Sequence, residues 1–188
     1  MQVMLKNIRI AFPALGTPQS FGEGEPAYGA KLIVDPKGEH VKQIKDAILE
    51  AAKDKWKDEA QEVIDALTDD RKVCFVEAEY RNKKTRQPYA GFEDKFYLSA
   101  RNAGTQPTVI DRLGNEVKST AEIERLIYSG CYVHASVDIW PQDNKWGQRI
   151  NCTLRGVMFA NDGENFGGSA PASASEFADF AVDAEDLL

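Results

Sequence analysis

The stretch Cys131-Tyr132-Val133-His134-Ala135-Ser136-Val137-Asp138-Ile139-Trp140 alternates apolar and polar side chains along its whole length. This period of two is typical of a β-strand with one buried and one exposed face. Residues 148–158 repeat the alternation after a turn-forming segment at 141–147, so the two segments predict a long β-hairpin. The predicted inward face holds Cys131, Val133, Ala135, Val137 and Ile139, and the outward face holds Tyr132, His134, Ser136, Asp138 and Trp140, with Arg149, Asn151, Thr153 and Arg155 beside them.

Shorter alternating segments predict further strands before the hairpin. Ile8, Ile10 and Phe12 alternate with polar or small residues near the N-terminus and are predicted to face the core. With the hairpin, these segments give about seven strands, most of them antiparallel. The other predicted strands are residues 28–34, 73–80, 95–101 and 108–111.

Helical spacing appears in three places between the strands. Residues 41–56 repeat apolar side chains about one helical turn apart, and residues 63–67 continue in a second piece. The segment Ser119-Thr120-Ala121-Glu122 matches a capping box and predicts a short third helix that ends at Gly130. We therefore predict a mainly β fold with inserted helices (α+β), either a partly open antiparallel barrel or a highly curved sheet.

Charge is distributed unevenly along the chain, which carries 23 basic and 30 acidic residues. The last base is Arg155, and the segment from residue 160 onward holds seven of the acids, so the remaining body is neutral. The helical insert at 39–70 is net negative by five charges, which leaves the strands net positive by five. These counts, together with the Gly/Ser/Ala-rich composition of residues 167–175, predict a domain at residues 1–166 and, at 167–188, a flexible linker followed by a disordered acidic tail.

The strand at 95–101 carries a cationic, aromatic and polar face, because Lys95, Tyr97, Ser99 and Arg101 all fall on one side of it. The preceding loop, residues 80–92, holds four bases, three aromatic residues and no acid. This combination suits single-stranded nucleic acid, because the cations can pair with phosphates and the flat rings can stack on unstacked bases. The predicted phosphate ligands are Lys31, Arg81, Lys83, Lys84, Arg86, Lys95, Arg101, Lys145 and Arg149, and the predicted stacking rings are Tyr80, Tyr89, Phe92, Tyr97, Trp140 and Trp146.

The sequence holds few of the residues that an enzymatic function would require. The two histidines, His40 and His134, supply neither a zinc site nor a nucleophile relay, and no phosphate-cradling loop is present. Glu77, Glu93 and Asp94, with Glu79 and Lys95 close by in the sequence, could hold magnesium in a nuclease, and this alternative stays open. We otherwise expect no enzyme, no metal and no cofactor.

The N-terminus and the cysteines favour a cytosolic protein. Residues 1–12 show no basic region followed by an apolar run, so they predict neither a signal peptide nor a membrane span. Cys74, Cys131 and Cys152 lie in apolar segments and are predicted to be buried, reduced thiols.

The C-terminal tail mixes acids with large apolar side chains, which solubility alone does not require. Such a segment can dock on a partner protein, or it can occupy the nucleic-acid groove of its own chain. The tail residues predicted to bind are Phe177, Asp179, Phe180, Asp183, Glu185 and Asp186.

With this basic and aromatic body and this tail, the chain resembles the single-stranded DNA-binding proteins of tailed bacteriophages, and among them a phage family long regarded as uncharacterised. The resemblance covers almost the whole length. It rests on Leu5-Lys6-Asn7-Ile8-Arg9-Ile10-Ala11-Phe12, on Tyr28-Gly29-Ala30-Lys31-Leu32-Ile33-Val34-Asp35-Pro36, and on Gly156-Val157-Met158-Phe159 before Asp162-Gly163-Glu164. Related phage tails end in an aromatic residue, whereas this chain ends in Leu187-Leu188.

The resemblance implies an OB-fold that coats single-stranded DNA without regard to sequence during replication and recombination, in the host cytoplasm. It implies that the tail recruits replication or recombination proteins and moderates DNA binding, and it implies no cofactor and no membrane. The formation of a homodimer is left open by the resemblance. A protein-interaction module without DNA affinity remains the second alternative, beside the nuclease.

Overall fold

Seven strands and three α-helices make up the part of the chain that the computed structural model describes, residues 1–20 and 24–167. None of the helices in that part combines the length and the hydrophobicity that a membrane span requires. The mainly β fold class with inserted helices is confirmed. The elements are β1 (Gln2–Gln19), β2 (Ala27–Val34), α1 (Glu39–Trp56), α2 (Ala60–Asp69), β3 (Phe75–Val76), β4 (Phe96–Asn102), β5 (Thr108–Ile110), α3 (Thr120–Leu126), β6 (Tyr132–Asn144) and β7 (Gly147–Asn161), with a 3₁₀ turn at Lys57–Glu59 between α1 and α2.

Five of the strands close into a barrel. The sheet order is β3-β4-β2-β1-β6-β7-β5, and an additional pairing of β4 with β7 joins the two sides of the sheet. That closing contact is parallel and consists of the pair Arg101 and Thr153, whereas β1, β2, β4 and β6 pair with their neighbours in the antiparallel sense. The predicted barrel of the OB type is therefore present. It closes between β4 and β7 through this single residue pair, which we call the barrel seam.

The β6–β7 hairpin follows the predicted alternation but is longer than expected. Cys131, Val133, Ala135, Val137 and Ile139 are fully buried in the barrel, as predicted. The strands stay paired as far as Asn144 and Gly147, so the predicted seven-residue turn is wrong. The loop is only Lys145-Trp146, because Gly147 adopts a positive φ of 94° that allows a tight turn.

The first strand departs from simple alternation at two points with positive φ, and its register shifts a third time between Ala14 and Gln19. Asn7 and Phe12 adopt positive φ angles of 51° and 50°, and the register shifts beside each of them, between Leu5 and Ile8 and between Ala11 and Ala14. Such bulges rotate the residues that follow onto the other face. Ile8 and Ile10 face the core as predicted, but Phe12 is 37% exposed and turns outward, so its prediction was wrong.

The predicted strand at 73–80 shortens to Phe75–Val76. Val76 forms the last pair with β4, opposite Tyr97, and the chain then leaves the sheet toward the basic loop. Cys74 is half-buried rather than buried, although it remains a free thiol like Cys131 and Cys152.

Two details of the predicted third helix were also wrong. Its N-cap is Ser119, but the Ser119 side chain makes no capping hydrogen bond. The helix ends at Leu126, and Gly130 lies beyond its end.

The helical insert packs against the barrel through its apolar side. Ile44, Ala47, Ile48, Ala52 and Trp56 of α1 are buried, which matches the predicted helical spacing. The indole Nε1 of Trp56 donates to Asp143 Oδ2 at 3.0 Å. This bond fastens the end of α1 to the outer part of the β6–β7 hairpin.

Candidate nucleic-acid interface

A second, smaller apolar core lies outside the barrel wall. Ala11 of β1, Ile33 of β2 and Phe92 of the loop before β4 are all buried in it. Phe92 has no exposed surface, so it fastens the loop at 77–95 onto the outer face of the barrel. Its predicted role as a stacking ring is therefore wrong, because a base could reach no face of it.

Four rings surround Phe92 and form, with it, what we call the aromatic cluster: Phe12, Tyr80, Tyr89, Phe92 and Tyr97. Tyr80 and Tyr89 stack with ring centroids 5.0 Å apart, and Tyr80 meets Tyr97 edge to face at 5.1 Å. Phe12 meets Tyr89 at 5.1 Å. The structure thus brings together the predicted tyrosines from the loop and from β4, and it adds Phe12, which the sequence placed in the core.

Lys31 of β2 lies within this cluster. Its Nζ is 4.3 Å from the Tyr80 ring centroid and 4.9 Å from that of Tyr97, and it donates to Ser99 Oγ at 2.8 Å. Burial, together with the nearby Arg101 charge, lowers the pKa of Lys31 to about 8. Burial also raises the pKa of Tyr80 and of Tyr97, so both phenols stay neutral well above pH 8.

The basic loop forms a small hairpin beside the cluster. The Tyr89 amide donates to the Tyr80 carbonyl at 2.9 Å, and Asn82 accepts from the amides of Lys84 and Thr85 through its side chain. This arrangement leaves the predicted ligands Lys83, Lys84 and Arg86 exposed at its tip.

Two of the predicted phosphate ligands are engaged with acids. Arg81 pairs with Glu79, and it also donates to the Arg86 carbonyl. Lys95 pairs with Asp35 at 3.2 Å. Both cations are therefore partly neutralised within the protein, which weakens their attraction for phosphate.

The barrel seam brings one predicted tryptophan beside the β4 face. Arg101 is exposed and pairs with Thr153, whose Oγ1 accepts from Trp140 Nε1 at 3.0 Å. Trp140 is 38% exposed. Lys31, Ser99, Arg101, Thr153 and Trp140 thus follow one another across four neighbouring strands.

The tip of the β6–β7 hairpin forms a separate group. Trp146 is 77% exposed, and Lys145 Nζ lies 5.1 Å from its ring centroid. Arg149 is exposed nearby on β7. Across residues 1–20 and 24–167, no ring–ring or cation–ring contact joins Lys145 or Trp146 to the aromatic cluster.

The acids of the nuclease alternative bind neighbouring donors. Glu77 pairs with Lys45 at 2.6 Å, and Glu93 accepts from the Gly91 amide at 2.9 Å. Glu79 accepts from the Asp94 amide at 2.7 Å, which lowers the pKa of Glu79. No group of three or more His, Cys, Asp or Glu in the described part of the chain is arranged to hold a metal.

Arg9 and Phe166 extend the site in a way that the sequence interpretation missed. The Arg9 guanidinium lies 4.2 Å from the Phe166 ring centroid, and it donates to the carbonyls of Gly130 and Glu164 at 2.9 and 3.1 Å. Phe166 covers Gly91, where an added Cβ would clash with the ring. Phe166 therefore packs against the aromatic cluster immediately before the predicted linker, and no local sequence pattern signals this long-range contact.

An OB-type barrel that carries cations among half-buried and exposed rings on its outer face has the architecture of a single-strand-binding protein. The chain belongs to the family described as Enterobacter phage Enc34 ssDNA-binding protein, whose model matches residues 1–188. The predicted family of phage single-stranded DNA-binding proteins is thereby confirmed.

Individual relatives agree with this assignment. The chain is 35% identical over 193 residues to protein p50 of Acyrthosiphon pisum secondary endosymbiont phage 1, covering 100% of this chain and 98% of p50. Its fold is similar to that of the single-stranded DNA-binding protein from bacteriophage Enc34 in complex with ssDNA, at 25% identity and a TM-score of 0.70, over 88% of this chain and 89% of that one. A C-terminal truncation of the Enc34 protein is similar at 27% identity and a TM-score of 0.69, over 88% of each chain.

Proposed function

We propose that the chain binds single-stranded DNA, without strong sequence preference, on the β2–β4 face of its barrel. The observation that carries this proposal is the position of Lys31, whose ammonium contacts the rings of both Tyr80 and Tyr97 on an outer barrel face. A phosphate can pair with such a cation while the neighbouring base stacks on a ring. The solved complex of the Enc34 protein with ssDNA supports the choice of ligand.

The ion pairs of the site allow the predicted phosphate ligands to be ranked by their expected contribution. Cations without an acidic partner in the described part of the chain are the principal phosphate ligands, whereas Arg81 and Lys95 contribute less because Glu79 and Asp35 already pair with them. Phe12, which is 37% exposed, takes the place of Phe92 among the proposed stacking rings. The principal phosphate ligands are Lys31, Lys83, Lys84, Arg86 and Arg101, the principal rings are Phe12, Tyr80, Tyr89, Tyr97 and Trp140, and Lys145, Trp146 and Arg149 form an outlying contact.

The proposed biological role is the coating of exposed strands during phage DNA replication and recombination, in the host cytoplasm. The binding residues predicted in the tail, Phe177 to Asp186, lie outside the described residues. We propose that this segment recruits replication or recombination proteins and competes with DNA as a tethered polyanion. A homodimer is compatible with this role.

The direct test is a titration of the full chain with labelled single-stranded and duplex oligonucleotides at several salt concentrations. With about five phosphate contacts, we expect affinity for the single strand to fall about 100-fold between 50 and 200 mM salt. Duplex DNA should bind more weakly, because its bases are stacked on each other. Absence of single-strand binding at 50 mM salt would contradict the proposal and favour a protein-interaction module.

The same titration should detect competition by the tail. A chain that ends at Gly168 loses five acids and no base, and we expect it to bind single-stranded DNA roughly three- to tenfold more tightly at low salt, since the tethered tail acts at about millimolar effective concentration. The matched control keeps the full length and both phenylalanines but replaces the five acids by their amides. Equal tightening in both variants assigns the competition to charge, and unchanged affinity in both refutes it.

Lys31 should couple DNA binding to proton uptake. Without DNA, the pKa of Lys31 is about 8, and a neighbouring phosphate favours the charged form and raises that pKa. At pH 7 Lys31 is already mostly protonated, so affinity should fall only above pH 8, by at most about tenfold for each pH unit. Titrations at pH 7, 8 and 9 measure this, because the raised pKa values of Tyr80 and Tyr97 keep both phenols neutral there.

The control for this pH dependence is Lys31→Arg. A guanidinium stays charged throughout the range, so its affinity for DNA should change much less between pH 7 and 9. An identical pH dependence in the two proteins would show that Lys31 contacts no phosphate.

A further inference from the structure

A groove crosses the outer face of the barrel on strands other than those that carry Lys31 and Tyr97. It is formed by β1, β6, β7 and the edge strand β5, and its volume is about 710 Å³. Met4 lies opposite Ser136, and Met158 pairs with both His134 and Ile110, so three strand pairings hold the groove in shape. The proposed DNA site uses none of its residues.

The lining of the groove combines an apolar floor with a basic rim. Met4, Ile110 and Met158 supply the floor, and Met4 is 51% exposed. Lys6 and Arg155 lie at the rim, and no acidic residue of the described chain lines the groove. Methionine side chains adapt to varied shapes and make favourable contacts with aromatic rings.

His134 adds a hydrogen-bond donor to this lining. Its Nδ1 accepts from the Asn7 backbone amide at 3.1 Å, so the ring must carry its proton on Nε2. Nε2 is then a donor for a carboxylate. The groove therefore offers three hydrogen-bond donors, Lys6, Arg155 and His134. They surround the thioether side chains of the two methionines.

The C-terminal segment Glu176–Leu188 has the complementary chemistry. It carries five acids, two phenylalanines and two terminal leucines, and it has no base. A ligand for this groove needs aromatic or aliphatic anchors between carboxylates, because carboxylates pair with the rim and rings pack on the methionines. No other segment of this length in the chain combines five acids with phenylalanine and lacks a base.

The length of the chain allows this segment to return to the groove. Met158 in the groove and Gly167 are nine residues apart, so the distance between them is at most about 30 Å. Gly167 and Glu176 are also nine residues apart, and an extended chain of that length spans the same distance. The start of the segment can therefore reach Met158 without unfolding any part of the barrel.

We propose that the groove lined by Met4, Lys6, His134, Arg155 and Met158 binds the acidic, aromatic C-terminal segment of the same chain. Phe177 or Phe180 packs on the two methionines, and the neighbouring carboxylates pair with Lys6 and Arg155. This docking site is separate from the β2–β4 face, and it does not depend on whether that face binds DNA. It gives the tail a place to bind when it does not compete with DNA.

Methionine-methyl NMR on the full-length protein tests this docking directly. The chain has only three methionines, Met1, Met4 and Met158, and Met1 packs against the core outside the groove. We expect the double variant Phe177→Ala/Phe180→Ala to shift the methyl signals of Met4 and Met158, because nearby rings shift such signals, and to leave that of Met1 unchanged. Unchanged Met4 and Met158 signals would overturn the proposal.

Three further measurements separate this docking from its alternatives. The groove variant Arg155→Glu should move the Met4 methyl signal in the same direction as the tail variant does. The linker variant Ser173→Ala should move neither the Met4 nor the Met158 signal. Failure of either expectation counts against docking. The signals should also be independent of protein concentration, and their change on dilution would overturn docking within one chain. If single-stranded DNA shifts Met4 and Met158 in the tail variant, the groove is a nucleic-acid site and the proposal fails.

Discussion

Tyr97→Ala is expected to weaken single-stranded DNA binding by about 5- to 150-fold, which corresponds to the roughly 1–3 kcal/mol that one base–ring stack contributes. Tyr97 lies on the outer face of β4, and its ring contacts both Tyr80 and the Lys31 ammonium. Its removal takes away a stacking surface and one of the two rings beside Lys31. Fluorescence anisotropy of a labelled oligothymidine at 50 mM salt measures the loss.

Two control variants show whether this loss is specific. Tyr97→Phe keeps the ring and should bind within about twofold of the unmodified chain, since stacking needs the flat surface rather than the hydroxyl. Leu113→Ala removes an exposed apolar side chain that belongs to neither the aromatic cluster nor the groove, and it should also bind normally. If Tyr97→Ala binds within twofold of the unmodified chain, the aromatic cluster is not the DNA site.

Leu98→Ala is expected to have the opposite pattern, with a stability loss of about 2–5 kcal/mol and nearly unchanged DNA binding by the folded protein. Leu98 follows Tyr97 in β4 but points into the barrel, where it is fully buried. It lies in register with Leu32 of β2 and Phe75 of β3, so its truncation leaves a cavity between three strands. Chemical denaturation measures the free energy of unfolding.

The same substitution at an exposed site gives the matched control. Leu113 is 87% exposed, and Leu113→Ala should change the free energy of unfolding by less than about 0.5 kcal/mol. Should Leu98→Ala fail to fold, Leu98→Met preserves the volume and should lose less than about 1.5 kcal/mol. A loss below 1 kcal/mol in Leu98→Ala would show that the barrel relaxes into the cavity.

The parts of the fold that could be predicted are those in which local periodicity agrees with the final burial. The alternation from Cys131 to Ile139 corresponds to five fully buried side chains, because this strand runs straight through the barrel wall. Tyr97 and Leu98 fall on the predicted faces for the same reason. Lys31, Tyr80 and Tyr89 were named from composition, and the structure does bring them together.

The parts that could not be predicted depend on backbone conformation and on long-range contacts. Phe12 turns outward because Asn7 and Phe12 adopt positive φ, and only Asn7 is of a residue type that favours this conformation. Phe92 is buried because the whole loop folds back onto Ala11 and Ile33, which are distant in sequence. The two aromatic residues thereby exchange the roles that the sequence predicted for them.

The contacts of Phe166 also determine how the protein bears mechanical tension. A pull on the C-terminus loads Phe166 through two contacts: its ring rests on Gly91 at the edge of the basic loop, and its amide donates to the Ser129 carbonyl at 2.9 Å. The hydrogen bond from Arg9 to the Glu164 carbonyl and that from Tyr128 to the Gly163 carbonyl take the load next. Force on the tail therefore reaches the loop beside the aromatic cluster and the segment before β6 through the same residue, Phe166.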